Sequence, residues 1–191
     1  MTVHWFGVFH ILMIAALLIP NGMYMLQNKH IKNRCTNRFM NLLEQIGRYG
    51  CIFLMIFSVR DDLGTSDGLL AIYAAGSLMC LLLYELLWRK LLKGHTIYWG
   101  FLPIAVLAVF FLMLSPVVVI LAVGLSAIIY VGMQASRRLY DKAWVSMALS
   151  ILPVLLFLLC GVTLHAWLLT AAAVVLALSH PYVTWCNVNA P

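Results

Sequence analysis

The chain has 191 residues, 64% of them hydrophobic and 9% charged, against about 25% charged in an average soluble domain. A water-soluble globule of this size cannot bury so much apolar surface, so the composition excludes one and makes lipid the solvent for most of the chain. The net charge of +6 does not point to nucleic acid, because Lys and Arg sit in short clusters between apolar runs, where they suit membrane orientation and anionic headgroups.

The first apolar run covers about 3–26 and contains Pro20. Met1 to His4 carry no Lys or Arg, so the run reads as a retained span and not as a cleavable signal peptide. A basic loop with Lys29, Lys32, Arg34 and Arg38 leads to a second run, 39–59, which ends in an acidic turn of Asp61, Asp62 and Asp67 punctuated by Gly64 and Gly68. The third run, 69–88, is followed by Arg89, Lys90 and Lys93. The 37 residues from Tyr98 to Gln134 exceed the about 20 needed for one crossing. Ser115-Pro116 interrupts them, because proline lacks an amide donor and disfavours helix at the residue before it. A fourth and a fifth span therefore fall near 98–115 and 116–134. After Arg137, Arg138 and Lys142, the last stretch splits near Gly161 to His165 into spans at 143–162 and 165–185. The reading is a single all-α integral membrane domain over 1–191, a polytopic bundle of seven transmembrane helices.

Lys and Arg number 4, 1, 3, 0, 3 and 0 in the six successive loops. The odd-numbered loops hold all but one, which predicts that they are cytoplasmic, with the N-terminus outside and the C-terminus inside. The alternation works only if both long stretches are hairpins. The tryptophans (Trp5, Trp88, Trp99, Trp144, Trp167 and Trp185) fall near expected span ends, as an interfacial belt would. The two hairpins, 98–134 and 143–187, also resemble each other. Leu102-Pro103 matches Leu152-Pro153, and Ser126 with Tyr130-Val131 matches Ser179 with Tyr182-Val183. Duplication of a two-helix unit explains this, as does the small alphabet of apolar helices.

The second span carries polar residues where lipid is expected. Counting back from Arg60 places Glu44, Gln45 and Arg48 inside it, with Arg48 roughly 10 Å deep at 1.5 Å per residue. A charge at the bilayer centre costs roughly 2.5–3.5 kcal/mol even on permissive scales. Glu44 and Arg48 are four residues apart, so they share a helix face with the acid preceding the base. Gly47 and Gly50 remove bulk beside them and invite a neighbouring helix. Two uses of the pair stay open: a lock of the second span against the bundle, or a site for an anionic headgroup, a solute or an ion. A helix shifted so that both residues reach the interface is the third possibility. Softer signals are His10 and Asn21 in the first span, His180-Pro181 as a break in the seventh, an ordinary surface pair between Glu85 and Arg89, and a solvated His165.

No G-x-S-x-G, H-E-x-x-H, Walker loop or C-x-x-C-H occurs. The seventh span has no lysine for a retinal Schiff base, and no arginine ladder suggests a voltage sensor. Five cysteines without a C-x-x-C pair predict neither a disulfide framework nor a zinc site. No cofactor, metal or catalytic set is expected.

The stretch Glu44-Gln45-Ile46-Gly47-Arg48-Tyr49-Gly50-Cys51 resembles one in a group of small multi-pass membrane proteins of Gram-positive bacteria with no assigned activity. Ser150-Ile151-Leu152-Pro153, Ser179-His180 with Tyr182, and Asn187 are similar to the same group. The resemblance spans most of the chain and implies a bacterial cytoplasmic membrane. The leading functional expectation is a small carrier, or a lipid- or solute-binding bundle, with binding residues Glu44, Gln45, Arg48, His10 and His180. The alternatives are an accessory or structural subunit packing against a membrane partner or a second copy, and an intramembrane lipid-modifying enzyme. The carrier requires a hydrated cavity at Arg48. The subunit requires a buried pair and an exposed small-residue face such as Ala171 to Ala173. The enzyme requires His10 or His180 within hydrogen-bond reach of Glu44 and Arg48.

Overall fold

The computed structural model describes residues 5–28, 33–57, 67–92 and 98–189. The expectations attached to Lys29, Lys32, Arg60, Asp61, Asp62, Gly64 and Lys93 lie outside the described residues, as do the side chains of Trp5 and Trp99. The described chain is all-α, with seven α-helices in order: α1 (Trp5–Gln27), α2 (Arg38–Phe57), α3 (Asp67–Trp88), α4 (Tyr98–Leu114), α5 (Pro116–Ala135), α6 (Lys142–Thr163) and α7 (Trp167–Asn189). A short 3₁₀ turn, Arg138–Tyr140, joins α5 to α6.

Local chemistry sets the helix ends. Ser115 is extended (φ −160°, ψ 106°) and Pro116 opens α5, where its missing amide is one the helix would leave unbonded anyway. Asp141 caps α6, its carboxylate accepting from the Ala143 and Trp144 amides at 2.8 and 3.4 Å. Asn37 accepts from the Met40 amide at 3.2 Å and starts α2. The chain turns from α6 into α7 at His165, which is exposed and left-handed (φ 52°). Gly161 is required just before it, because a Cβ there would lie 2.8 Å from the Thr170 amide nitrogen.

Pro20, Pro103, Pro153 and Pro181 all lie inside helices. The expected break at His180-Pro181 is absent, since α7 runs through both to Asn189. One missing amide removes one bond of the ladder and leaves the helix continuous.

α3 is the central helix, touching α1, α4, α5 and α6. α7 is sandwiched between α2 and α6, and α1 packs mainly on α4. The two hairpins differ: α6 and α7 pack far more extensively on each other than α4 and α5 do. The core joins Met13, Leu78, Leu81, Leu107, Leu156 and Leu169, all fully buried. Three buried hydroxyls are satisfied within their own helices. Ser126 donates to the Ala122 carbonyl, Thr163 to Leu159 and Ser179 to Val175, at 2.6–2.8 Å.

Five helices, in α1, α3, α5, α6 and α7, are long and apolar enough to cross a membrane. α2 carries Arg38, Glu44 and Arg48, and α4 has 17 residues. The outer surface fits the same solvent. Phe53, Ile120, Ile128, Leu168 and Leu178 are each more than half exposed, an arrangement that water would penalise. The tryptophans do not all sit at a surface: Trp88 is buried against Tyr24 and Tyr84, with ring centres 5.2 and 6.0 Å away, whereas Trp167 and Trp185 are exposed.

Candidate functional site: a polar cluster between the second and seventh helices

α2 packs tightly onto α7. Gly47 makes it possible, since a Cβ at that position would lie 2.9 Å from the Leu176 nitrogen and 3.0 Å from its Cα. Gly50, one turn on, faces Ala172. With the backbones this close, a side chain just before Gly47 reaches across to the next helix.

Glu44 is that side chain. It is 5% exposed. Its Oε1 accepts from Arg48 Nη2 on its own helix and lies 2.7 Å from His180 Nδ1 on α7. A carboxylate only accepts, so the proton of the short contact sits on Nδ1 and the imidazole is the donor. This leaves Nε2 outside the bond. Arg48 Nη2 is 3.5 Å from the same Nδ1, a proximity of two donors that both serve Glu44. One carboxylate thus ties the charge of α2 to an imidazole of α7, as a buried charge requires.

The arginine is not enclosed. Its side chain is 42% exposed, against 6% for Glu44 and 20% for His180. A guanidinium has five N–H donors, and Glu44 takes a bond from Nη2. A separate polar contact, at the Tyr84 hydroxyl of α3, joins α3 to α1. That hydroxyl accepts from Asn21 Nδ2 at 2.8 Å and donates to the Leu17 carbonyl at 3.3 Å. Polar contacts thus join α2 to α7 and, separately, α1 to α3. Below them, Asn187 at the end of α7 accepts the Arg34 and Cys35 amides at 2.7 and 3.2 Å, fastening the segment before α2 to α7.

Of the residues expected from sequence, Glu44, Arg48 and His180 converge. Gln45 does not: it is exposed on the flank of α2 away from α7. His10 does not either. It is buried in α1 with its ring 6.1 Å from that of Tyr73, and it lies about 16 Å along the helix from Asn21 at 1.5 Å per residue. Two cavities are prominent, one between α3, α5 and α6 and one between α3, α4 and α5, and neither is lined by Arg48.

Sequence reasoning missed Glu85. The expected surface pair with Arg89 is not formed; Arg89 is exposed, and Glu85 is 1% exposed with no hydrogen-bond partner for its Oε1 among the described residues. The four-residue spacing suggested a pair, but the face of α3 that carries Glu85 turns inward. An unsatisfied buried polar oxygen costs about 1–3 kcal/mol. Glu85→Leu is therefore expected to raise the thermal unfolding midpoint of the detergent-purified protein. A lowered midpoint would show that Glu85 makes a stabilising bond.

Comparisons of the chain with protein-family models, with curated proteins and with solved structures returned no match.

Proposed function

We propose that this chain is an integral protein of a bacterial cytoplasmic membrane that crosses it seven times, with the N-terminus outside and the C-terminus inside. In this reading it is a small carrier or a lipid- or solute-binding bundle, and its polar site is Arg48 held by Glu44 and His180. The ligand class is an anionic group. The observation that carries the reading is the asymmetry of the cluster: Glu44 is buried while Arg48 is 42% exposed. An anchored, half-open guanidinium suits recognition of a carboxylate or phosphate. Intramembrane arginines elsewhere mark substrate and ion pathways.

The test is hydration beside Arg48. Ile52 lies one turn deeper on the same flank of α2, so a cysteine there samples the space next to the guanidinium. In inside-out vesicles, the Ile52→Cys variant is expected to react with a membrane-impermeant thiol reagent, with the label located by mass spectrometry. A thiol that reacts only after denaturation would make the site dry and overturn the reading. Topology is tested by reporters. A fusion after Gly64 is expected to behave as extracytoplasmic and one after Lys142 as cytoplasmic; the reverse result would invert the orientation.

The accessory-subunit reading draws support from the burial of Glu44 at the tight α2–α7 contact, where the ion pair would be a structural lock. The lipid-modifying enzyme draws support from the Glu44–His180 bond, which orients an imidazole with Nε2 available to take a proton. His180→Gln separates the two. A lock survives it with a modest loss of stability, whereas an enzyme loses its activity while remaining folded.

A further inference from the structure

Away from the Glu44 cluster, α3, α5 and α6 enclose an open-sided groove of about 260 Å³. Leu83 and Leu87 of α3, Ile129 and Met133 of α5, and Trp144 and Met147 of α6 line it, and every lining residue is apolar. One end of the groove meets a rim of positive charge. Lys90 follows Leu87 by three residues, Arg137 follows Met133 by four, and Lys142 precedes Trp144 by two. Lys90 and Arg137 stand in the turns just past the ends of α3 and α5, and Lys142 opens α6.

The 3₁₀ turn holds the rim together. Its Leu139 is buried, and its Tyr140 ring carries Lys90 Nζ 5.5 Å from the ring centre, a cation–π contact that ties the end of α3 to the α5–α6 connection. Arg89, Lys90, Arg137, Arg138 and Lys142 are all exposed. The one acid among them, Asp141, is engaged as the cap of α6. The rim is therefore strongly cationic, and the groove beside it is a slot for hydrocarbon.

We propose that this groove and its rim form a binding site for an anionic phospholipid. One acyl chain would lie between α3, α5 and α6, with the phosphate facing Lys90, Arg137 and Lys142. Charge complementarity selects the occupant. A zwitterionic lipid would fill the groove equally well but gain little from the rim, while an anionic one gains at each Lys and Arg close to the bilayer surface. The site is independent of Arg48.

The experiment uses the full chain in phosphatidylcholine vesicles doped with phosphatidylglycerol that carries a photoreactive acyl chain. A photoreactive phosphatidylcholine serves as the control. After illumination, mass spectrometry is expected to place the phosphatidylglycerol label on Met133, Met147 and their neighbours, well above the control. Combining Lys90→Gln, Arg137→Gln and Lys142→Gln changes exposed side chains alone and is expected to lower that labelling to the control level. Ala148→Phe, which fills the groove, is expected to remove labelling by both probes. Arg48→Gln is expected to change none of this. Equal labelling by the two probes in the unaltered protein, or a phosphatidylglycerol preference that survives the triple substitution, would overturn the proposal. So would a preference lost in Arg48→Gln, which would put the headgroup at Arg48.

Discussion

Gly47→Leu is expected to abolish the folded protein. A Cβ at this position already falls 2.9 Å from the Leu176 nitrogen and 3.0 Å from its Cα. Those are backbone atoms in the middle of α7, so no rotamer change makes room, and α2 must move bodily away. Overpacking costs about 1–3 kcal/mol where side chains can adjust, and more where they cannot. The displacement also pulls Glu44 off His180, whose 2.7 Å contact exists only because the backbones meet here. Gly50 provides the control. A Cβ there meets only Ala172 Cβ, at an ordinary 3.7 Å, so Gly50→Ala should leave stability unchanged or slightly raised through helix propensity. Fluorescence-detected size exclusion reads both. A monodisperse Gly47→Leu protein with an unaltered melting midpoint would refute the close helix contact.

The second large effect concerns the ion pair. Arg48→Ala strips a buried carboxylate of its cation, and breaking a buried pair from one side costs about 3–5 kcal/mol. The loss should fall near the lower end, because Arg48 is half-exposed and His180 still donates to Glu44. Glu44→Ala alone should cost less. The arginine it leaves behind is already partly open and can extend its long stem toward a more polar level. Adding Glu44→Ala to Arg48→Ala should then recover part of the stability, since no unpaired charge remains. Thermal unfolding of the four proteins forms a double-mutant cycle, and additive losses would show that the two side chains do not act as a pair.

Much of the architecture was legible in the chain itself. Apolar runs interrupted by basic clusters announced helices in lipid, and Ser115-Pro116 and Gly161 to His165 marked turns that the structure places there. These signals are local: proline geometry, an absent side chain and the length of an apolar run act within a few residues. Glu44 and Arg48 were legible for the same reason, being four residues apart on one helix. His180 was legible as a candidate binding residue, but nothing in its spacing paired it with Glu44. Its role in the cluster depends on which helix α7 meets and at what height, which no spacing encodes. The same limit misled the reading of Glu85. A four-residue offset to Arg89 suggests a surface pair, and only the packing around α3 reveals that this face is inside.

Composition and the apolar runs are enough to make this protein helical, to surround most of it with lipid, and to place charge on one helix against a steep cost of transfer. How that cost is met depends on which helices pack together. Gly47 lets α2 and α7 touch, and the touch brings an imidazole from 136 residues away onto Glu44. The same packing leaves Gln45 and His10 apart from the cluster, because the direction of a side chain around a helix acquires meaning only when the neighbouring helices are in place.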